Sequence, residues 1–102
     1  GAARVAPVTA RVPFAVADPR TPDLEGAWTL EAAGGDVRVV PDDAAIPGDR
    51  PTFTSGGLAQ SWAGAQSTAN LRLAGELVGP AGHDAVWDAL WGGRQVHVRD
   101  YF

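Results

Sequence analysis

Residues 52–79 read TFTSGGLAQSWAGAQSTANLRLAGELVG. Inside this stretch the spacing of the apolar residues changes from that of a strand to that of a helix, and this change decides the fold. Its first three residues, 52–54, form a short candidate strand, after which apolar residues recur at helical spacing. Ser55 is the expected N-cap of that helix, and Gly64 is its expected end. The apolar face consists of Leu58, Trp62 and Ala65, at positions i, i+4 and i+7.

Two more helices are predicted downstream. One covers 66–74, with Ser67 as its cap and Gly75 as its stop. The other covers 83–91 and ends at two glycines. Its apolar stripe consists of Val86, Trp87, Leu90 and Trp91. This i, i+1, i+4, i+5 spacing is typical of a helix that buries one face.

Alternation of apolar and polar residues predicts strands before residue 52 and again near the end of the chain. It runs over 8–16, over 27–32 and 37–40 on either side of a Gly-Gly turn, and over 95–99. Pro13 has no backbone N–H and cannot donate a hydrogen bond to a neighbouring strand, so the first strand is expected at a sheet edge or with a bulge. Strands followed by helices, without βαβ alternation, indicate an α+β fold. We expect an antiparallel sheet of about five strands covered on one face by three helices.

Composition limits the class of protein. The chain has 102 residues, no cysteine and no lysine, and its net charge is −4. This length predicts one domain over 7–102, with 1–6 as a linker or tag remnant. The missing cysteines exclude disulfide scaffolds and thiolate zinc sites, and the acidic balance argues against nucleic-acid binding. Without a membrane-spanning run or a signal peptide, we expect a soluble cytoplasmic protein.

The polar side chains offer few catalytic patterns. His83 and His97 fit no metal-ligand spacing, so surface histidines are expected and no metal site is predicted. Asp84 and Asp88 lie one helical turn apart, as paired catalytic carboxylates can, but a solvated helix face is the favoured interpretation. The strand–glycine–helix junction at 54–58 offers N–H groups to an anion. It lacks the spacing of a phosphate loop, so close helix–sheet packing at its glycines is favoured.

Four tryptophans are a high share for a chain of this length. They are Trp28, Trp62, Trp87 and Trp91. They would either line a small-molecule cavity or supply the bulk of a small core, since each buries about 200 Å². The core is the favoured interpretation.

Several segments together resemble one known family. They are GAWTL at 26–30, GLAQSWAG at 57–64, LRLAGELVG at 71–79, VWDALW at 86–91 and RDYF at 99–102. Their order and spacing are similar to those of the C-terminal, sterol-carrier-protein-like domain of Eis-type (enhanced intracellular survival) GNAT N-acetyltransferases. The chain departs from that pattern at Trp62 and Trp91, where the family usually has Tyr or Leu and Phe.

The resemblance implies the last domain of a three-part enzyme, after two acetyltransferase-fold domains in the same chain. It also implies that the C-terminal α-carboxylate, here on Phe102, is the general base for an amine substrate. The family's acetyl-CoA signature is absent from these residues. The domain is therefore expected to hold no cofactor and to be inactive alone, with acetyl-CoA bound by the full-length enzyme. No nucleic acid or membrane is implied as a partner, and a homo-oligomer stays open.

Two other functions stay open from the sequence. One is a stand-alone module that binds a lipid or another hydrophobe, as the sterol-carrier likeness implies, and the other is a small interaction domain without a ligand. The reading frame upstream of Ala2 separates these functions from the accessory domain. An acetyltransferase domain there favours the enzyme, and a start codon within about 20 residues favours the module.

Overall fold

Alternating stretches form strands and helically spaced stretches form helices in the computed structural model, which describes residues 10–33, 36–46 and 48–91 and the backbone of 97–100. The strands are β1 (Ala10–Val16), β2 (Gly26–Ala33), β3 (Asp36–Pro41), β4 (Thr52–Phe53), β5 (Leu77–Val78) and β6 (His97–Asp100). The helices are α1 (Ser55–Trp62), α2 (Thr68–Leu73) and α3 (Asp84–Trp91). The predicted linker at 1–6 and the predicted start of β1 at residues 8 and 9 lie outside the described residues.

The six described strands form one mixed sheet in the order β5-β4-β1-β2-β3-β6. The pairs β1–β2, β2–β3 and β4–β5 are antiparallel, whereas β1–β4 and β3–β6 are parallel. The parallel pairs are possible because a long connection separates the two strands of each pair in the chain. Within the described residues, the predicted α+β fold with three helices is confirmed, and the sheet, predicted to be antiparallel with about five strands, is mostly antiparallel and has six strands.

One face of the sheet carries the helices and the core. Phe14 of β1 and Phe53 of β4 point to this face, and their ring centroids lie 5.2 and 5.0 Å from that of Trp87 in α3. The buried apolar residues are Val12, Phe14, Val16, Leu30, Ala32, Val37, Val39, Phe53, Leu58, Leu71, Leu77, Trp87, Leu90 and Trp91. The strand residues in this set occupy alternate positions of their strands, so the sheet gives only one face to the core.

The prediction that β1 is an edge strand or carries a bulge is wrong, although Pro13 itself lies on a stretch of β1 that β4 does not pair with. β1 lies inside the sheet, between β4 and β2, and its register with β2 is unbroken. Ala15 and Ala17 donate backbone hydrogen bonds toward the segment that carries β4. The missing N–H of Pro13 points to that same side, because alternate residues of a strand share a hydrogen-bonding direction. β4 pairs only with Ala15 and Val16, so the proline lies where the ladder needs no donor.

Capping residues set the ends of α1 and α2. Thr54, and not the predicted Ser55, is the N-cap of α1, because its side chain accepts a hydrogen bond from a first-turn backbone N–H. Ser67 caps α2 as predicted. Both helices end as predicted at Gly64 and Gly75, whose φ values of 70° and 77° suit glycine. Among the residues described, no helix has the length and apolar character needed to cross a bilayer.

Candidate functional site

The predicted general base, the α-carboxylate of Phe102, lies outside the described residues. The strand that leads to it, β6, is described as backbone and pairs in parallel with β3 at the edge of the sheet. β6 ends at Asp100, and it contains the second predicted surface histidine, His97. The segment before the terminus is therefore held by the sheet up to two residues from Phe102.

The two aspartates of α3 serve two different partners on α2. Asp84 accepts hydrogen bonds from Arg72 Nε and Nη2 at 2.7 and 2.9 Å. Asp88 accepts from the Thr68 backbone N–H and hydroxyl at 2.9 and 2.7 Å. They therefore form no paired-carboxylate site, and the favoured prediction of a solvated face is wrong for both. The reason is tertiary: α2 packs beside α3 and its donors take both carboxylates.

Arg72 joins three segments of the chain. Besides its paired contact with Asp84, its guanidinium donates to the carbonyls of Gly79 and Pro80 at 2.8 and 3.0 Å. The carboxylate beside it raises the pKa of Arg72 above its already high value. A planar guanidinium suits this fixed, two-pronged geometry. The contact holds α2, the turn after β5 and the start of α3 together.

Several donors of the junction at 54–58 are already taken by groups of the chain itself. The backbone N–H and hydroxyl of Ser55 donate to Asp18 at 3.2 and 2.9 Å, and the Gly57 N–H donates to Thr54 Oγ1 at 3.0 Å. The carboxylate at this helix start would repel a phosphate. Close packing at the glycines is confirmed at Gly57, where a Cβ would lie 2.9 Å from the Glu76 carbonyl oxygen.

Asp18 is a buried charge that sequence reasoning missed. It is 2% exposed and accepts hydrogen bonds from the backbone and guanidinium of Arg20 as well as from Ser55. Hydrogen bonds from Arg20, and to a smaller extent those from Ser55, hold the pKa of Asp18 well below its ordinary value. Its sequence context, Asp-Pro-Arg, is typical of a turn. Only the fold places this carboxylate at the start of α1, 37 residues along the chain.

Arg50 is a second buried charge without a sequence signal. It is 7% exposed, and it contacts Asp49 at 2.7 Å, Asp42 at 2.9 Å and the Trp28 carbonyl oxygen at 3.0 Å. Hydrogen bonding to Arg50 lowers the pKa of Asp49, and bonds from the Ala44 N–H and then Arg50 lower that of Asp42. These contacts fasten the loop at 42–51 to β2.

The tryptophans are mainly core residues, as favoured from the sequence. Trp87 and Trp91 are 2% and 6% exposed, and their ring centroids lie 5.9 Å apart. Trp87 Nε1 donates to Ser61 Oγ within the core. Trp28 and Trp62 are partly buried and pack against the same cluster.

A depression of about 210 Å³, open to solvent, lies between α1, the connection from α1 to α2, and α3. It is lined by Ser61, Gly64, Gln66, Ser67, Asp88 and Trp91. Ser61, Ser67 and Asp88 already hold Trp87 or the start of α2, so these groups serve the fold. Within the described ranges, no group of three or more His, Cys, Asp or Glu side chains could hold a metal ion.

Comparison with known proteins gives a consistent set of matches. Residues 2–99 match the family model of the sterol carrier protein domain. The crystal structure of a GCN5-related N-acetyltransferase from Kribbella flavida is 36% identical with a TM-score of 0.75, over 95% of this chain and 24% of that one. One from Anabaena variabilis ATCC 29413 is 20% identical with a TM-score of 0.72, over 93% of this chain and 24% of that one, and it shows the fold alone. No curated protein matches the chain.

Proposed function

Because the chain belongs to the sterol carrier protein domain family, we propose that it is the C-terminal accessory domain of a GNAT-type N-acetyltransferase. One observation carries the proposal: 95% of the chain matches, at 36% identity, a segment that makes up 24% of a GCN5-related N-acetyltransferase. The proposal includes the Eis-type architecture, with two acetyltransferase-fold domains before this one, and a cytoplasmic location.

Acetyl-CoA would be bound by the acetyltransferase part of the longer chain. At the start of α1, the Ser55 and Gly57 N–H groups are bound by Asp18 and Thr54, so they are not available to its phosphates. The 102-residue chain alone is therefore expected neither to bind acetyl-CoA nor to transfer an acetyl group. Its net charge of −4 suits the neighbourhood of a cationic amine substrate.

The chemical contribution proposed for this domain is the α-carboxylate of Phe102. An α-carboxylate has an ordinary pKa of about 3.5, so it is ionised at neutral pH, and partial burial increases its basicity. It would take one proton from the substrate ammonium. The free amine then attacks the acetyl carbon, the carbon–sulfur bond breaks, and the second proton leaves with the thiolate. The pairing of β6 with β3 supports this role by anchoring the segment before Phe102.

The accessory role is tested on the longer protein. The reading frame upstream of Ala2 should encode an acetyltransferase, and that protein should acetylate small amines from acetyl-CoA while the 102-residue chain does not. A start codon directly upstream, with no acetyltransferase domain, would contradict the accessory role. It would favour the stand-alone hydrophobe-binding module instead.

The general-base role is tested by changing the terminus of the full-length enzyme. Deleting or amidating Phe102 should lower kcat by about 10²–10⁴, the range expected for a positioned base. One added residue should do the same, because it moves the charge by about 3.5 Å. The 102-residue chain should melt at nearly the same temperature with and without Phe102. An enzyme that keeps wild-type kcat with a C-terminal extension would reduce the domain to a scaffold.

A further inference from the structure

The last strand, β6, pairs with β3 in an irregular register, and we infer that Arg38 of β3 is a positioning residue for the proposed general base. The inference rests on the proposed function of Phe102. The positive charge of Arg38 selects Asp100 as the residue of β6 that pairs with it. That register sets how far the two residues after β6 reach.

The pairing of β3 with β6 contains a bulge. Val37 pairs with Val98, but the next residue of β3, Arg38, pairs with Asp100, so one residue of β6 is extra. The extra residue is Arg99. Without the bulge, Arg99 would pair with Arg38, and like charges at that distance repel. The bulge replaces this pair by two opposite charges, and bulges commonly redirect a strand at a sheet edge or beside an active site.

Charges alternate in sign along the register row that contains this pair. Arg11 of β1 pairs with Glu31 of β2, and Glu31 pairs with Arg38 of β3. Arg11 Nη2 lies 3.4 Å from Glu31 Oε2. These three positions carry two positive charges against one negative charge, and the aspartate at the next position balances the row. The alternation continues onto β6 only when Asp100, and not Arg99, is in register.

Apolar packing fixes the register of β6 only as far as Val98. Val37, its partner on β3, is fully buried, so an apolar residue is needed opposite it. The residues that follow Val98 in β6 are both charged, and burial cannot choose between them. Arg38 is the residue of β3 that pairs with this charged part. The choice of register next to the terminus therefore falls to Arg38.

A wrong register would move the proposed base. One residue of a strand spans about 3.3 Å, which is close to the shift caused by one added terminal residue. A slip of one residue also turns each side chain to the opposite face of the sheet. Misplacing a reacting group by about 1 Å can cost about 10²-fold in rate. Arg38 therefore acts on the rate through β6 and does not need to touch the substrate.

The first test is the rate of acetyl transfer by the full-length enzyme. Arg38→Gln should lower kcat by about 10- to 100-fold and leave the KM for acetyl-CoA unchanged, because that substrate is bound elsewhere in the longer chain. Arg38→Lys keeps the charge and should recover most of the lost rate. Arg11→Gln is the matched control, since it removes the same charge from the same row on β1, which β2 and β3 separate from β6. It should leave kcat unchanged.

The second test exchanges the two paired charges. Arg38→Asp and Asp100→Arg should each lower kcat, and the double variant should recover at least about tenfold over either single variant. Hydrogen exchange of the backbone amides at 97–100, measured on the same proteins, reports the pairing of β6 without depending on activity. Exchange should be faster in each single variant and should return toward the wild-type rate in the double variant.

Wild-type kcat in Arg38→Gln, in an enzyme that loses activity when Phe102 is deleted, would overturn this inference and leave the general-base role standing. Wild-type kcat after deletion of Phe102 would overturn both. Equal losses in Arg38→Gln and Arg11→Gln, or no recovery in the double variant, would also overturn the inference, because the charge would then act on general stability and not on the register. Circular dichroism of each variant shows that the fold is retained.

Discussion

At the scale of single residues, Gly57 lies where α1 leaves the sheet and meets the segment before β5. A Cβ there would lie 2.9 Å from the Glu76 carbonyl oxygen and 3.1 Å from Thr54 Oγ1. Gly57→Ala should therefore destabilise the fold by about 1–3 kcal/mol, as other overpacked positions do. Gly82→Ala is the matched control, because nothing lies within 4 Å of its added Cβ. Equal urea midpoints for the two variants would show that the approach at Gly57 is not tight.

A second residue-scale prediction concerns pH. The pKa of Asp18 is lower in the folded chain than its ordinary value of 3.8. Its contribution to stability is therefore complete above about pH 4 and is lost as the pH falls further. Asp18→Asn should lower the melting temperature at neutral pH and weaken its dependence on pH below about pH 4. The exposed Asp23→Asn is the control for removing a charge. A wild-type acid profile in Asp18→Asn would contradict the role of this carboxylate.

At the scale of elements, α3 fastens the helical layer to the sheet. Leu90 is 4% exposed and lies on the buried stripe with Trp87 and Trp91. Leu90→Ala should cost about 2–5 kcal/mol through lost burial and a cavity. Ala89→Gln, on the exposed side of the same helix, should cost less than about 0.5 kcal/mol. Chemical denaturation measures both, and similar losses would mean that a different face of α3 is buried.

Hydrogen bonds to side chains of other elements also stabilise the first turns of the helices. Asp88 of α3 serves the first turn of α2, and Asp18 from the loop after β1 serves the first turn of α1. Sequence periodicity located the helices within two residues of their bounds, because burial of an apolar stripe determines where a helix lies. It assigned Ser55 instead of Thr54 as the cap, since either hydroxyl can serve and the contact with Asp18 is not local.

At the scale of the whole molecule, the aromatic packing predicts that the domain holds no hydrophobic ligand. The Trp87 ring fills the space between α3 and the sheet, with Phe14, Phe53 and Trp91 around it. A fluorescent fatty-acyl or sterol probe should therefore show no saturable single site with a Kd below about 10 μM. Saturable binding at one site, displaced by unlabelled lipid, would revive the stand-alone lipid-binding function.

The sequence by itself determined the fold class and the identity of the core. Alternation in strands and apolar stripes in helices predict which side chains are buried, and both patterns can be seen within one short segment of the sequence. The order of its segments also determined the resemblance to the domain family. The predicted role of Phe102 stays a prediction, because that residue lies outside the described part of the chain.

Only the tertiary structure decided the partners of the charged residues and the parallel pairing of β4 with β1. Asp18, Arg50, Asp84 and Asp88 look like turn or surface residues in the sequence, yet each also has a partner between 12 and 37 residues away. A charge leaves water only where donors or acceptors are already placed to receive it. Those placements arise when helices and strands pack, so no local pattern of residues encodes them.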